Sequence, residues 1–291
     1  MEIRLAKFSG FCFGVKRAID IAMKSAAKFD SPVTLGPIIH NPQMVAKLKK
    51  KGIDFVNDLN KINNRATIIR SHGVKKEVYT WLKKHDIKII DATCPYVSKA
   101  QESAKKFIAD GYFVYILGDK NHPEVIGLKS YTENKAKIVK DESEIIKKKM
   151  NKIGIVCQTT QNLENLKKIV NAIIPWADEI RIKNTICNAT SKRQNSTANL
   201  AARSDFMIVI GGKNSANTKM LKKISQEYTD TIHIETKAEL SKEMLENKNK
   251  IGLTAGASTP NWIIIDVYKK ILEMSGNKVN KSLNVEDIPI F

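Results

Sequence analysis

Asp91-Ala92-Thr93-Cys94-Pro95-Tyr96-Val97 stands between two different patterns. The apolar run before it, Ile87-Lys88-Ile89-Ile90, predicts a short buried strand, and the segment after it, 97–110, has the spacing of a helix. Cys94 therefore falls where a strand ends and a helix begins. Pro95 follows, at a position where a missing N–H costs nothing. The first N–H groups of such a helix favour a thiolate. A cysteine that only fills core space would more often lie inside a strand or helix. Cys94 thus reads as a ligand or a nucleophile.

The same order of strand, short loop and helix recurs on both sides of this stretch. Strands are predicted at 2–6, 32–35, 66–70, 87–90, 112–117, 152–156, 179–182, 206–210 and 231–234. Helices are predicted at 15–28, 97–110, 163–173, 191–202 and from about 260. Alternating units of this kind favour parallel sheets with helices on both faces, and ligands beyond the carboxyl ends of the strands. Cys12, Cys94 and Cys187 lie 82 and 93 residues apart, each in a strand-to-helix turn. The expected fold is α/β: three similar small domains with parallel-type sheets in pseudo-threefold arrangement. The expected domains are 1–93 with Cys12, His40 and His72; 94–186 with Cys94, His122, Glu124 and Thr159; and 187–275 with Cys187, Ser215, Asn217 and Ser258. A polar tail, 276–291, would form a strap. If the domains pack around an axis, three thiolates meet at its centre.

Composition narrows the function. A chain of 291 residues with 42% hydrophobic content suits two or three globular units. No apolar run is long enough to span a bilayer, and the N-terminus lacks a signal-peptide pattern, so a cytoplasmic protein without membrane association is expected. Four cysteines in a reducing compartment point to metal binding or catalysis rather than disulfides. The excess of 49 Lys+Arg over 30 Asp+Glu, a formal +19, would attract nucleic acid, phosphorylated small molecules or an acidic protein. Aromatic content is 7%, no basic stretch is interleaved with aromatics, and no zinc-finger or RNA-recognition spacing is present. Nucleic acid is therefore not expected as a partner. A monomer or weak homodimer is expected.

Three convergent thiolates suit an iron–sulfur cluster. Zinc ranks second, since its short paired spacings are missing, and thiol catalysis third, since no cysteine has a base beside it in sequence. Cys157 ends the run Ile153-Gly154-Ile155-Val156 and is expected to pack as a small apolar residue. A four-iron cluster would then keep one iron without a cysteine. His40, His72 and His122 each follow a strand and stand beside Gly or in a Pro-containing turn, as donors for an anion. His85 is expected on the surface and His233 as a packing residue. Ser215, Ala216, Asn217 and Ser258 lie at predicted helix starts, the other standard anion-binding device. Glu124 is the one carboxylate in these loops, two residues from His122, and is a general-acid candidate.

Ordered blocks now align with a known family. They are Gly10-Phe11-Cys12-Phe13-Gly14-Val15, His40-Asn41, Ser71-His72-Gly73-Val74, Asp91-Ala92-Thr93-Cys94-Pro95 and His122-Pro123-Glu124-Val125 in the first half. Gln158-Thr159-Thr160, Cys187-Asn188-Ala189-Thr190, Lys213-Asn214-Ser215 with Asn217, and Thr254-Ala255-Gly256-Ala257-Ser258 follow. From about residue 3 to about 275 the chain resembles the 4-hydroxy-3-methylbut-2-enyl diphosphate reductases, the LytB/IspH family. The resemblance implies three α/β domains around a central [4Fe–4S] cluster held by Cys12, Cys94 and Cys187, its fourth iron taking the substrate hydroxyl. It implies diphosphate binding by His40, His72, His122, Ser215, Asn217 and Ser258, with Ala216 where many relatives carry a second serine. Glu124 would deliver protons, with Thr159 and His122 beside it, and ferredoxin or flavodoxin would deliver electrons. The other two readings, a nucleic-acid-binding protein and a cluster-bearing sensor, leave the loop histidines, Glu124 and the Ser/Asn donors unexplained.

Overall fold

Apolar residues run through both faces of the central strands, as parallel sheets require. The structure, a computed structural model, describes residues 1–276. In chain order its elements are β1 Glu2–Leu5, α1 Phe13–Lys28, β2 Val33–Leu35, α2 Pro42–Lys49, β3 Asp54–Val56, β4 Thr67–Ile69, α3 Lys76–Lys84 and β5 Ile89–Asp91. Then come α4 Pro95–Ala109, β6 Phe113–Leu117, α5 Pro123–Ser130, β7 Lys137–Val139, β8 Met150–Cys157, α6 Leu163–Ile173 and β9 Ala177–Lys183. The last are α7 Asn188–Ala201, β10 Phe206–Ile210, α8 Ala216–Gln226, β11 Thr231–Ile234, β12 Lys250–Ala255 and α9 Asn261–Met274. The strap expected at 276–291 lies, from 277 on, outside the described residues. Among the described residues no helix is long and apolar enough to cross a membrane.

The strands form three four-stranded sheets, ordered β3-β2-β4-β5, β7-β6-β8-β9 and β1-β12-β10-β11, with every pair parallel. By contacts the chain divides into two compact units. One holds Met1–Lys16, His40–Met44 and the chain from Asn188; the other holds Arg17–Ile39 and Val45–Cys187, hence two of the sheets.

Read from the opposite edge, the third sheet is β11-β10-β12-β1, and all three sheets become one topology. An outer strand comes first, then two strands whose connections leave in opposite directions, then a strand leading to a cysteine. Cys94 follows β5, Cys187 follows β9 and Cys12 follows β1. This corrects one expectation. Residues 2–5, read as the opening strand of the first domain, instead pair with β12 in register Glu2↔Lys250 to Leu5↔Leu253. The third sheet lacks a fourth strand of its own, and the N-terminus supplies it. Cysteines therefore do not simply open domains. The strand before Cys94 belongs to β2–β5, while α4 after it packs on β6 and β8.

Period-2 alternation in β6 and β8 builds two cores. Tyr115, Leu117, Ile153 and Ile155 face Leu166, Ile169 and Ile173 of α6. Val114, Ile116 and Val156 face Ala100, Ala104 and Phe107 of α4. Gly154 sits in β8 because Phe107 lies on it: a Cβ there would come within 2.7 Å of the ring. In the other unit, Ile208, Ile210, Leu253 and Ala255 pack against Ile263, Ile264, Val267 and Ile271 of α9.

Candidate active site

In each sheet the two adjacent central strands form the switch point, the place where open α/β sheets bind ligands. Every predicted anion-binding or acid residue follows one of these strands, whereas the three cysteines follow edge strands. His72 follows β4; His122 and Glu124 follow β6, and Thr159 follows β8; Ser215 follows β10 and Ser258 follows β12.

In the unit with two sheets, the β6–α5 loop carries His122 as the N-cap of α5, with Pro123 in the first helical turn. His122 Nδ1 accepts the Glu124 N–H at 3.2 Å. A ring that accepts at Nδ1 carries its proton on Nε2, which leaves Nε2–H as a donor. The His72 and His122 rings meet edge to face at 5.6 Å between centroids. The turn that carries His72 needs Gly73, whose φ is +70° and whose absent Cβ leaves room for Gln101 Nε2. Ser71 Oγ donates to the Ile38 carbonyl at 3.0 Å, and the Ser71 carbonyl accepts the Cys94 N–H at 2.9 Å. The His72 turn and Cys94 are thus one hydrogen-bonded piece.

Cys94 is the N-cap of α4 with Pro95 directly after it, as predicted. Asp91 fixes the approach: its Oδ1 accepts the Thr93 N–H at 2.8 Å, and its Oδ2 accepts the Tyr79 hydroxyl at 2.8 Å. Arg17 Nη1 donates to the Thr93 carbonyl at 3.0 Å.

Glu124 is 2% exposed. The Thr159 N–H donates to its Oε1 at 2.6 Å and the Thr159 hydroxyl to its Oε2 at 2.9 Å. The Thr159 carbonyl in turn accepts the Cys187 N–H at 3.0 Å. Glu124, Thr159 and Cys187 therefore form a continuous chain. Burial pushes the Glu124 carboxyl up to about 7, against the two Thr159 bonds that favour its ionised form. At neutral pH it holds a proton in a sizeable fraction of molecules. Thr159→Val, which removes one of those bonds, should raise that value further and move the alkaline limb of a pH–rate profile to higher pH. An unmoved limb would show that Thr159 does not act on Glu124.

Cys157 is fully buried among Tyr115, Leu117 and Leu166, and burial pushes its thiol up to about 12. That is the environment of a packing residue. Cys12, Cys94 and Cys187 are each part-exposed in loops.

In the other unit, the Cys12 N–H donates to the Ala257 carbonyl at 3.1 Å, and α1 begins one residue later. His40 rests on two loops, one of which needs glycine. Its carbonyl accepts Ser258 Oγ at 3.1 Å and lies 2.4 Å from where a Cβ of Gly212 would be, so only glycine fits there. The Ser215 N–H closes a turn on the Gly212 carbonyl at 2.9 Å, and Ser215 Oγ caps α8 through the Thr218 N–H. The Ala216 N–H is among the helix-start groups without an intrahelical acceptor. Asn217 is 3% exposed, and neither its Nδ2 nor its Oδ1 has a protein partner among the described residues. A buried amide of this kind costs free energy until something pairs with it. If that partner is a diphosphate, as the resemblance implies, Asn217→Leu should weaken binding of inorganic pyrophosphate by about tenfold or more, one hydrogen bond to a charged group. Unchanged affinity by calorimetry would remove Asn217 from the site.

Some residues were missed in the sequence. Arg193 is buried in α7 and donates Nη2 to the Gly10 carbonyl at 2.8 Å, two residues before Cys12. Its signal was a polar buried stripe, Thr190, Arg193, Gln194 and Thr197, on a helix with no apolar face. Gln158 Oε1 accepts the Asp119 N–H at 3.1 Å and ties the β8 and β6 loops. His233, expected as a packing residue, contacts the Gly211 carbonyl through Nε2 at 2.8 Å, beneath the Ser215 loop. His85 lies on the surface as expected, stacked on Trp81. Lys213, in a motif block, pairs with Glu239 at 2.6 Å.

A family model described as LytB protein matches residues 3–272. A 4-hydroxy-3-methylbut-2-enyl diphosphate reductase of Geobacter sulfurreducens is 46% identical over 280 residues, 96% of this chain and 99% of that protein. The same-named protein of Campylobacter hominis is 48% identical over 278 residues, 94% of this chain and all of that one. A solved structure of (E)-4-hydroxy-3-methyl-but-2-enyl diphosphate reductase, the terminal enzyme of the non-mevalonate pathway, is 45% identical, with a TM-score of 0.67 over 94% of this chain and all of the other. That of the E-1-hydroxy-2-methyl-but-2-enyl-4-diphosphate reductase from Plasmodium falciparum is 29% identical, with a TM-score of 0.87 over 98% of this chain and 93% of the other.

Proposed function

We propose that this chain, which belongs to the LytB protein family, reductively removes the hydroxyl of 4-hydroxy-3-methylbut-2-enyl diphosphate to give isopentenyl and dimethylallyl diphosphate. The allylic C–O bond breaks, two electrons and two protons are consumed, and the hydroxyl leaves as water. The observation that carries the reading is the buried Glu124, held on both oxygens by Thr159 and able to keep a proton near neutrality.

The donor set fits a cluster. Cys12, Cys94 and Cys187 are the three part-exposed cysteines, each on the loop after the corresponding strand of a repeated topology, while Cys157 is sealed in a core. Three cysteines and no fourth suit a [4Fe–4S] cluster with one open iron. Bound there, the cluster would supply electrons and a Lewis acid for the departing hydroxyl.

The chain's own residues do the rest. Glu124 gives its proton to the hydroxyl as the C–O bond lengthens, which turns a poor leaving group into water. Thr159 keeps both carboxyl oxygens in place and can take part in returning a proton. His122, with Nδ1 engaged, directs Nε2–H to the diphosphate, and His72, edge-on to it, does the same. His40, Ser215, the Ala216 N–H, Asn217 and Ser258 complete the set of anion donors. Held at its diphosphate end, the substrate needs little further ordering to react. The electrons come from a ferredoxin or flavodoxin.

Turnover tests this directly. Iron- and sulfide-loaded protein with dithionite-reduced methyl viologen should convert the hydroxylated diphosphate to both products. Loaded protein that never does so would refute the reading.

A further inference from the structure

The unit that contains Cys12 also carries a basic groove that none of the site residues uses. It runs between the end of β1 with the loop after it and one face of α7, and it measures about 480 Å³. Its cations are Arg4, Lys7, Lys192 and Arg203, and no carboxylate lines it. Glu2, beside it, is bonded to Arg4 at 2.7 Å, which leaves an excess of positive charge. In its lining Phe8 is 39% exposed, with Lys7 and Lys192 over its ring at 5.9 and 5.8 Å. Five residues on, Phe13 is 67% exposed, the most exposed large apolar side chain among the described residues. Cys12 lies between these two aromatics in the chain, and Lys192 comes five residues after Cys187.

An exposed aromatic among cations, with a second exposed aromatic five residues on in the chain, has the make-up of a protein-docking surface. Aromatic anchors supply contact area, and the charged rim steers the approach and selects the partner. Phe13 is adjacent to Cys12, so whatever docks there is brought next to a proposed cluster ligand. The reaction proposed above takes up two electrons from outside the chain. We propose that this groove, with Phe8 and Phe13, is the docking surface for an acidic protein that carries single electrons. The inference rests on the reductase reading and locates its partner. A nucleic acid fits less well: Phe8 is the one aromatic in the groove's lining, too few for a stacking platform.

The test uses the loaded enzyme and the double variant Lys7→Glu/Lys192→Glu. Both side chains are exposed, so the fold should survive, and neither belongs to the site described above. Turnover is driven in parallel by a reduced two-iron ferredoxin and by reduced methyl viologen at low and high salt. At low salt the ferredoxin-driven rate should fall about tenfold or more in the variant, while the viologen-driven rate stays at the wild-type value. The salt dependence of the ferredoxin-driven rate should also flatten. Phe13→Ser should weaken ferredoxin binding in calorimetry without changing the viologen-driven rate. An unchanged ferredoxin-driven rate in the double variant overturns the proposal, as does an equal loss with both reductants. So does loss of oligonucleotide binding with intact electron delivery. Wild-type enzyme that fails with viologen alone overturns the reductase reading itself, a result distinct from all of these.

Discussion

Glu124→Gln should keep its fold and its iron and lose turnover by about 10²- to 10⁴-fold, the usual contribution of a positioned acid. Glutamine is close to isosteric. Its carbonyl can accept the Thr159 N–H, and the threonine hydroxyl can reverse to accept from the new amide, so the local bonds survive. Only the proton is lost. The pH dependence follows with a definite sign. The carboxyl is raised from 4.5 to about 7, so its protonated form is present below that value and is lost above it. Turnover that depends on the acid should therefore decline as pH rises through about 7. The same shift bears on stability. The folded state binds this proton more tightly than the unfolded chain, so its contribution to stability is full below about 4.5 and is lost as pH rises to about 7. An ionised Glu124 in so dry a place costs the fold about 3 kcal/mol. Glu124→Gln should accordingly show a flatter dependence of melting temperature on pH between 5 and 7. Normal turnover in this variant would mean that the proton comes from elsewhere.

Cys94→Ser should lose the cluster almost completely while the protein stays folded. The backbone at Cys94 holds its place through the Ser71 carbonyl, and Pro95 starts the helix whatever side chain precedes it. A serine hydroxyl is a poor substitute for thiolate at iron. The matched control is Cys157→Ala. It should retain iron and activity and lose about 1–2 kcal/mol of stability, because it opens a small void in a packed core. Iron content, visible absorbance and denaturant midpoints separate the two. Iron retained by Cys94→Ser but lost by Cys157→Ala would exchange their roles.

Much of this was legible in the sequence because each motif lies in a local pattern. Cys94-Pro95 reads as a helix start from two residues, and α4 begins at Pro95, two residues before the 97 that apolar spacing gave. The β6 run, Phe113 to Leu117, is apolar and rich in β-branched and aromatic residues, and it is a central strand. The edge strands β3 and β7 did not stand out: each has three residues, the first of them charged, and pairs on one side alone. The placement of β1 was hidden for another reason. Its partner lies about 248 residues away, and no local property of residues 2–5 reports which sheet edge is vacant. α7 begins at Asn188, three residues before the predicted 191, so that Cys187 stands directly before a helix as Cys12 does. For the site, residue type and loop position were enough to single out His122 and Glu124. Their coupling to Thr159 depends on the β6–β8 register, Leu117 opposite Cys157, which spacing alone does not reveal. Arg193 stayed hidden because a buried arginine on a polar helix face resembles a solvated one until its acceptor, the Gly10 carbonyl, is known.

The central claim is that this chain removes an allylic hydroxyl with a proton from Glu124. The measurement that tests it most directly is single-turnover product formation from 4-hydroxy-3-methylbut-2-enyl diphosphate. It compares pre-reduced, iron- and sulfide-loaded wild type with Glu124→Gln matched for iron content. The wild type should release isopentenyl and dimethylallyl diphosphate within one turnover, with the rate falling above about pH 7, and the variant should retain unreacted substrate. Equal product formation by the two proteins, or none by a fully loaded wild type, would contradict the account.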